Sequence, residues 1–349
     1  MNNTKKNKKR IFNFLKIILS LLFIGWFFNH FFLNNDALVE DIFVIVSSWD
    51  KFIFVILSMI FGALAYVSRG LRWVGLIDAL GYKTSKINSI SAVSVGYFTN
   101  VFIPRAGEIS RCLMLKKSDN IPTDKLLGTI LIERIIDFTF LLFIILISIF
   151  LKSKELIQSF NEYQQKREGE GDPSSTKFII LGSLLFIGIL IYLFRNKIKQ
   201  NPFYNKATQF IEGFKEGFKS IKNIKNKRSF WFHTFGIWIM YLLMTYICFQ
   251  CIDETSNLTV YDGLFVLTLG AIGMILPTPG GLGSYHYFVM IALLGLSVGN
   301  GFYSTDYESY NPALLFPFVV HLAQTVISFI MGPVGLLILF MNKKQRIHA

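Results

Sequence analysis

Residues 126–151 read LLGTILIERIIDFTFLLFIILISIFL, one apolar run interrupted only by Glu133, Arg134 and Asp137. A run of about 20 apolar residues suffices to carry a helix across the hydrocarbon core of a bilayer. An ionised side chain at that depth is costly, so charges there pair with one another or serve function. These three groups therefore constrain the fold: each must reach the interface or meet a partner. Glu133 and Asp137 are four residues apart and share one helix face.

Other apolar runs of comparable length lie along the 349 residues, and 52% of the residues are hydrophobic. The mean hydropathy of +0.48 exceeds that of soluble domains. Continuous runs, rather than short alternating segments, exclude a transmembrane β-barrel. The reading is an all-α, polytopic integral membrane protein. It has about eight transmembrane helices, a re-entrant segment and a Pro/Gly-broken helix pair, in a single membrane domain over 1–349.

The formal charge of +13 points to no nucleic-acid partner, because the basic residues flank apolar spans. Their placement sets topology. Lys5, Lys6, Lys8, Lys9 and Arg10 precede a first span, 11–33, read as retained, because its apolar part is too long for a signal peptide and no cleavage site follows. The next loop holds Asp36, Glu40, Asp41 and Asp50 and is read as external. Span 52–68 returns inward to Arg69, Arg72, Lys83 and Lys86, read as cytoplasmic markers. The spans that follow are 126–151, 178–194, 230–252, 260–276, 284–298 and 312–340, with both termini cytoplasmic. Residues 152–177 read as a flexible external loop. Residues 203–224 alternate apolar and basic faces, as an interfacial amphipathic helix does, and the basic stretch 203–228 would meet anionic inner-leaflet headgroups.

Two stretches depart from this pattern. Residues 87–103 are apolar but rich in small and polar residues, end at Ile103-Pro104, and have basic residues on both sides. That is the signature of a segment that enters from the cytoplasm and returns, tolerated only inside protein or against a water-filled cavity. Residues 260–276 and 284–298 are short limbs joined by Pro277-Thr278-Pro279-Gly280-Gly281-Leu282-Gly283. Gly96–Gly107 loosely resembles Gly270–Gly280 with one gap, as in an inverted repeat. Gly/Pro-interrupted segments in matching halves point to a transporter's binding site.

The residue chemistry fits an anionic ligand. Arg105, Glu108 and Arg111 follow the first break, and Arg105–Glu108 and Glu108–Arg111 are spaced to pair on a helix. Arginine offers bidentate donors suited to phosphate, although a cytoplasmic loop would also carry such arginines. Gly280, Gly281 and Gly283 leave backbone amides open to an anion, or simply make a tight turn. Glu133, Arg134 and Asp137 either snorkel to the interface, about two turns from Lys125, or pair with Arg105 and Arg111, holding the re-entrant loop, or couple a proton. His286 and His321 with Gln324 read as interhelical hydrogen bonds, and the five scattered histidines form no metal cluster. Cys248 and Cys251 form a C-x-x-C without a βαβ context and read as packed helical neighbours.

Together, P-R-A-G-E-x-x-R at 104–111, E-R-x-x-D at 133–137 and P-x-P-G-G-L-G at 277–283 resemble the lysylphosphatidylglycerol synthase transmembrane-region family. The resemblance runs from about Phe52 to Phe340 and implies a flippase-like integral membrane protein of the inner membrane. An acid often follows G-G-L-G in that family, and here His286 stands in its place. The chain is expected to be a stand-alone member without the synthase domain, moving an anionic or modified phospholipid or a polyprenyl-linked lipid. It is expected not to be an enzyme and to use no cofactor. A homo-oligomer is compatible with this reading. The rivals are an intramembrane lipid-linked transferase and a secondary transporter of a small anion. No P-loop is present, so ATP would not drive transport directly.

Overall fold

The computed structural model describes residues 36–167, 222–276, 278–299 and 310–347, with isolated positions Leu22, Gly25 and Asn29. Among the described residues there is no strand. The α-helices are α1 (Asp36–Ser47), α2 (Trp49–Ala79), α3 (Lys86–Phe102), α4 (Gly107–Asp119), α5 (Thr123–Arg167), α6 (Lys227–Cys248), α7 (Val260–Ile275), α8 (Ser284–Gly295) and α9 (Pro312–Ile347). Among the described residues four stretches are long and apolar enough to cross a membrane: Trp49–Ala79, Thr123–Leu151, Lys227–Cys251 and Pro312–Asn342. The expected spans 11–33 and 178–194 lie outside the described residues. So does the amphipathic stretch 203–224, apart from its last three residues, which lead into α6 in a turn and coil.

Two sequence expectations need correction. The run 52–68 does not stop before Arg69: α2 continues to Ala79, and both Arg69 and Arg72 are buried rather than marking a cytoplasmic surface. The helix continues because no proline interrupts that stretch and because both guanidiniums find carboxylates. The flexible loop expected at 152–177 is helical at least to Arg167. Between Lys152 and Arg167 the chain contains neither Gly nor Pro and is rich in good helix formers, so polarity alone does not end the helix.

α2 and α6 run antiparallel in close contact. The Ser58 hydroxyl donates to the Met244 carbonyl at 3.0 Å, and further along Gly236 lies beside Ser68. α3 lies between α2 and α9 on small residues. Ser89 donates to the Gly70 carbonyl at 2.8 Å, and Gly335 faces the Ser91 backbone. Small residues let helix backbones approach closely where no hydrophobic effect drives helices together.

Neither α3 nor α7 could span a bilayer alone: 17 and 16 residues make about 25 Å each, short of about 30 Å. Each is one limb of a helical hairpin. α3 and α4 close with Gly96 against Gly107 at the break and Asn88 on Asp119 at the open end. α7 and α8 close with Gly273 against Ser284 and Tyr285. Helix α9 serves as a ruler for both. Asn342 bonds Asn88 at 2.7 Å, Phe329 packs on Phe98 and Phe102, and His321 reaches Gly280 at 2.9 Å. The two hairpin tips therefore meet near the middle of α9, arriving from its opposite ends.

The rim at the start of α2 is acidic. Lys51 pairs with Asp253 at 3.2 Å, and the Tyr310 hydroxyl donates to Glu254 at 2.7 Å. Burial, with Glu40 and Glu254 nearby, pushes the Asp41 carboxyl above its ordinary value. The folded state then binds more protons than the unfolded state, so this group's contribution to stability falls as pH rises from the ordinary carboxylate value through the raised one. Asp41→Asn should melt higher than the parent protein at about pH 7, and the difference should vanish below about pH 4, as thermal melts at the two values would show.

Candidate functional site

Five charged side chains from three helices form one unbroken alternating row. Arg111 on α4 donates to Glu133 on α5 at 2.5 Å. Glu133 also accepts from Arg72 on α2 at 3.4 Å. Arg72 continues to Asp137 at 2.7 Å, and Asp137 accepts from Arg69 at 2.7 Å. The sequence builds this row from two helical spacings. Glu133 and Asp137 at i, i+4 present two carboxylates on one face of α5, and Arg69 and Arg72 at i, i+3 present two guanidiniums on one face of α2.

The row is buried: Glu133 and Arg72 are 0% exposed, Arg111 5% and Arg69 6%. The Arg111 guanidinium also lies 4.6 Å over the Trp73 ring, whose indole N–H is held by Thr129 at 2.8 Å. At the other end Arg69 reaches the Tyr241 hydroxyl at 3.4 Å, which bonds Tyr97 at 3.0 Å. The Tyr97 ring stacks on Tyr66 at 4.0 Å, and Tyr66 bonds Ser328 on α9 at 2.7 Å. Charge pairing alone thus ties α2, α4 and α5 together, and hydroxyls extend the tie to α3, α6 and α9.

The pairings expected from spacing alone do not form. Arg105 does not pair with Glu108, nor Glu108 with Arg111. Glu108 takes Arg134 at 2.7 Å, a half-exposed pair on a different face of α5. The interhelical partners win because Arg111 and Glu133 are buried at the contact of α4 and α5, where an unpaired charge would cost more than a surface pair gains. Arg111 is therefore a structural cation rather than an open phosphate clamp.

Arg105 has a different place. It sits at the break with a φ of 60°, a left-handed conformation that is strained for a residue with a side chain. Its guanidinium crosses to the second hairpin and donates to the Ile275 carbonyl at 2.8 Å, at the last turn of α7. There it meets the negative pole of that helix. The residue remains exposed, and it is ringed by exposed Phe102, Ile103, Met274, Ile275 and Leu276.

The glycines lie at the same junction. Gly280, Gly281 and Gly283 all have positive φ, and Gly280 packs against the Val101 backbone at the end of α3. The turn is stapled by Thr278 and Ser284 at 2.7 Å and by His321, which bonds the Gly280 carbonyl. The Gly281 amide is taken up by Thr278. The structure therefore brings Arg105, Gly280, Gly281 and Gly283 together and sets Arg111, Glu133 and Asp137 apart in the buried row. Among the described residues no three or more His, Cys, Asp or Glu side chains come together as a metal site would need.

A family profile described as Lysylphosphatidylglycerol synthase TM region matches residues 13–332, a stretch that contains the breaks, the buried row and the junction. The chain belongs to that family. It is also similar to the UPF0104 membrane protein MJ1595 of Methanocaldococcus jannaschii, with 25% identity over 301 residues, covering 77% of this chain and 82% of the relative. No solved structure matches. Family membership and the four apolar helices make this a multi-pass membrane protein, consistent with a membrane-lipid-related function.

Proposed function

We propose that the protein moves an anionic or modified phospholipid, or a polyprenyl-linked lipid phosphate, between the leaflets of the inner membrane. In this reading it is a translocator rather than an enzyme, with both termini cytoplasmic. The observation that carries the proposal is Arg105, a cation at the meeting point of two half-crossing hairpins, tied by a hydrogen bond to a carbonyl yet exposed. A guanidinium has five N–H donors, so one bond to Ile275 leaves others for phosphate oxygens. The exposed apolar collar around it suits acyl or prenyl chains that remain in the lipid. Hairpins arriving from opposite faces leave a short polar step at the middle, which is where a headgroup meets the greatest cost. The buried row beside the junction holds α2, α4 and α5 in place while the headgroup passes.

The test is a leaflet-exchange assay. The full chain goes into liposomes containing fluorescent phosphatidylglycerol, and dithionite bleaches the outer leaflet. Bleaching should pass half of the label with the parent protein. It should slow about tenfold or more with Arg105→Gln, since a hydrogen bond to a charged group is worth about 1.5–3 kcal/mol. Arg105→Lys should retain part of the rate. Parent protein that behaves as empty liposomes do, across phosphatidylglycerol, phosphatidylethanolamine and a polyprenyl phosphate and under an imposed proton gradient, would defeat the proposal.

A further inference from the structure

His286 on α8 and His321 on α9 face each other in the core, each 5% exposed, with ring centroids 4.8 Å apart and planes near perpendicular. Phe318 packs on His286 at 4.2 Å and Tyr285 on His321 at 5.4 Å. The titratable group in contact with both rings is Tyr285, whose hydroxyl is bonded to Gln324, and Cys248 of α6 lies near it. Of these residue types only imidazole ordinarily changes charge between about pH 5 and 8. An ionisable side chain within a membrane bundle is a candidate for function as well as for packing.

The anchoring bond fixes the chemistry of His321. The Gly280 carbonyl can only accept, so Nε2 carries the hydrogen and the lone pair of the neutral ring is at Nδ1. A proton taken from water can add at Nδ1 without breaking the bond to Gly280, and the bond then becomes charge-assisted and tighter. A second proton on His286, so close by, would be opposed by the first. Gly280 is the first of three positive-φ glycines in the hairpin turn and rests on Val101 at the end of α3. On the far sides of that contact lie Ile275 and Arg105, which bond each other.

We infer that His286 and His321 together bind one proton, and that its presence tightens the hold of α9 on the 278–283 turn. The energy source for transport would then be a proton taken up at the second hairpin and felt at Arg105 through the turn. That consequence rests on the lipid reading above, whereas the proton site itself does not.

The experiment uses the full chain in lipid nanodiscs. Labelling with 15N-histidine reports ring protonation. Labelling glycine with 13C at the carbonyl and 15N at the amide reports the turn, because Gly280-Gly281 is the one Gly-Gly step in the sequence and gives a unique carbon–nitrogen correlation. Titrated over about pH 4.5–8.5, the pair should take up one proton, and the Gly280 carbonyl signal should move with the same midpoint. His286→Gln should raise the His321 midpoint by about half a unit or more, and His321→Gln should do the same for His286. Rings that keep one charge state throughout, rings that titrate alike with and without each other, or a Gly280 signal that stays fixed while they titrate would each overturn the inference. The unsubstituted protein alone decides the first and third outcomes, so a variant that fails to fold leaves the test intact. A negative leaflet-exchange assay alongside a positive titration would defeat the lipid reading and leave the proton site standing.

Discussion

Asp137→Asn should destabilise the protein by about 3–5 kcal/mol, the usual cost of removing one partner from a buried ion pair. Asp137 accepts from Arg69 and Arg72 at 2.7 Å each. The amide left at position 137 can still accept a neutral hydrogen bond, but the only carboxylate remaining to the two arginines is Glu133 at 3.4 Å from Arg72, while Arg69 keeps the Tyr241 hydroxyl at 3.4 Å. The penalty comes chiefly from leaving a cation unpaired in the core rather than from the intrinsic strength of the pair. Arg69→Met added to Asp137→Asn removes one charge of each sign and should recover most of the loss. The measurement is a double-mutant cycle of equilibrium unfolding in mixed detergent micelles. Arg134→Gln is the control. Its pair with Glu108 is half exposed, so it should cost less than about 1 kcal/mol. Equal losses for Asp137→Asn and Arg134→Gln would mean that the row does not hold the bundle together.

Gly107→Ala should open the first hairpin. A Cβ at this position would collide with the Gly96 carbonyl oxygen and lie 2.7 Å from the Asn100 amide, while the Gly107 N–H already donates to Asn100 at 2.7 Å. Backbone sits on the far side of the contact, so no flexible side chain can yield. Overpacking of this kind costs about 1–3 kcal/mol or more. Cys112, fully buried one turn further along α4, provides the readout. With Cys248 and Cys251 replaced by serine, a maleimide should label Cys112 faster in the Gly107→Ala protein. Gly128→Ala is the counter-example, because nothing lies within 4 Å of the added methyl. That change should leave labelling slow and stabilise α5 by about 0.5–1 kcal/mol. Unchanged labelling in both variants would contradict the tight α3–α4 hairpin.

The sequence revealed some of this directly and hid other parts for identifiable reasons. Glu133 and Asp137 stand out because they interrupt an apolar run at helical spacing, and Pro104 and the 277–283 cluster announce breaks. Arg69 and Arg72 were hidden because they follow an apolar run, just where charge counting places cytoplasmic arginines. Their match to the carboxylates lay in the spacing, i, i+3 against i, i+4, across more than 60 residues of chain. Arg105 holding the Ile275 carbonyl had no sequence signature, since every residue carries a carbonyl. The His321 contact with Gly280 was hidden for the same reason. The helix beyond Leu151 was missed because its composition is polar, although nothing in it opposes helix.

The buried row also bears on how the protein is made. Arg72 is synthesised 61 residues before Glu133, and Arg69 68 residues before Asp137. When α2 first leaves the ribosome it carries two arginines with no counter-charge, each costing about 2.5–3.5 kcal/mol at the centre of a lone helix in lipid. Stable release of α2 into the bilayer is therefore tied to the emergence of α5. Until then the segment must wait in the insertion machinery or keep its arginines at the headgroups. Glu133 and Asp137 thus act as late-arriving permission for an earlier helix to settle, and a chain truncated before them should leave α2 poorly anchored and open to quality-control proteolysis.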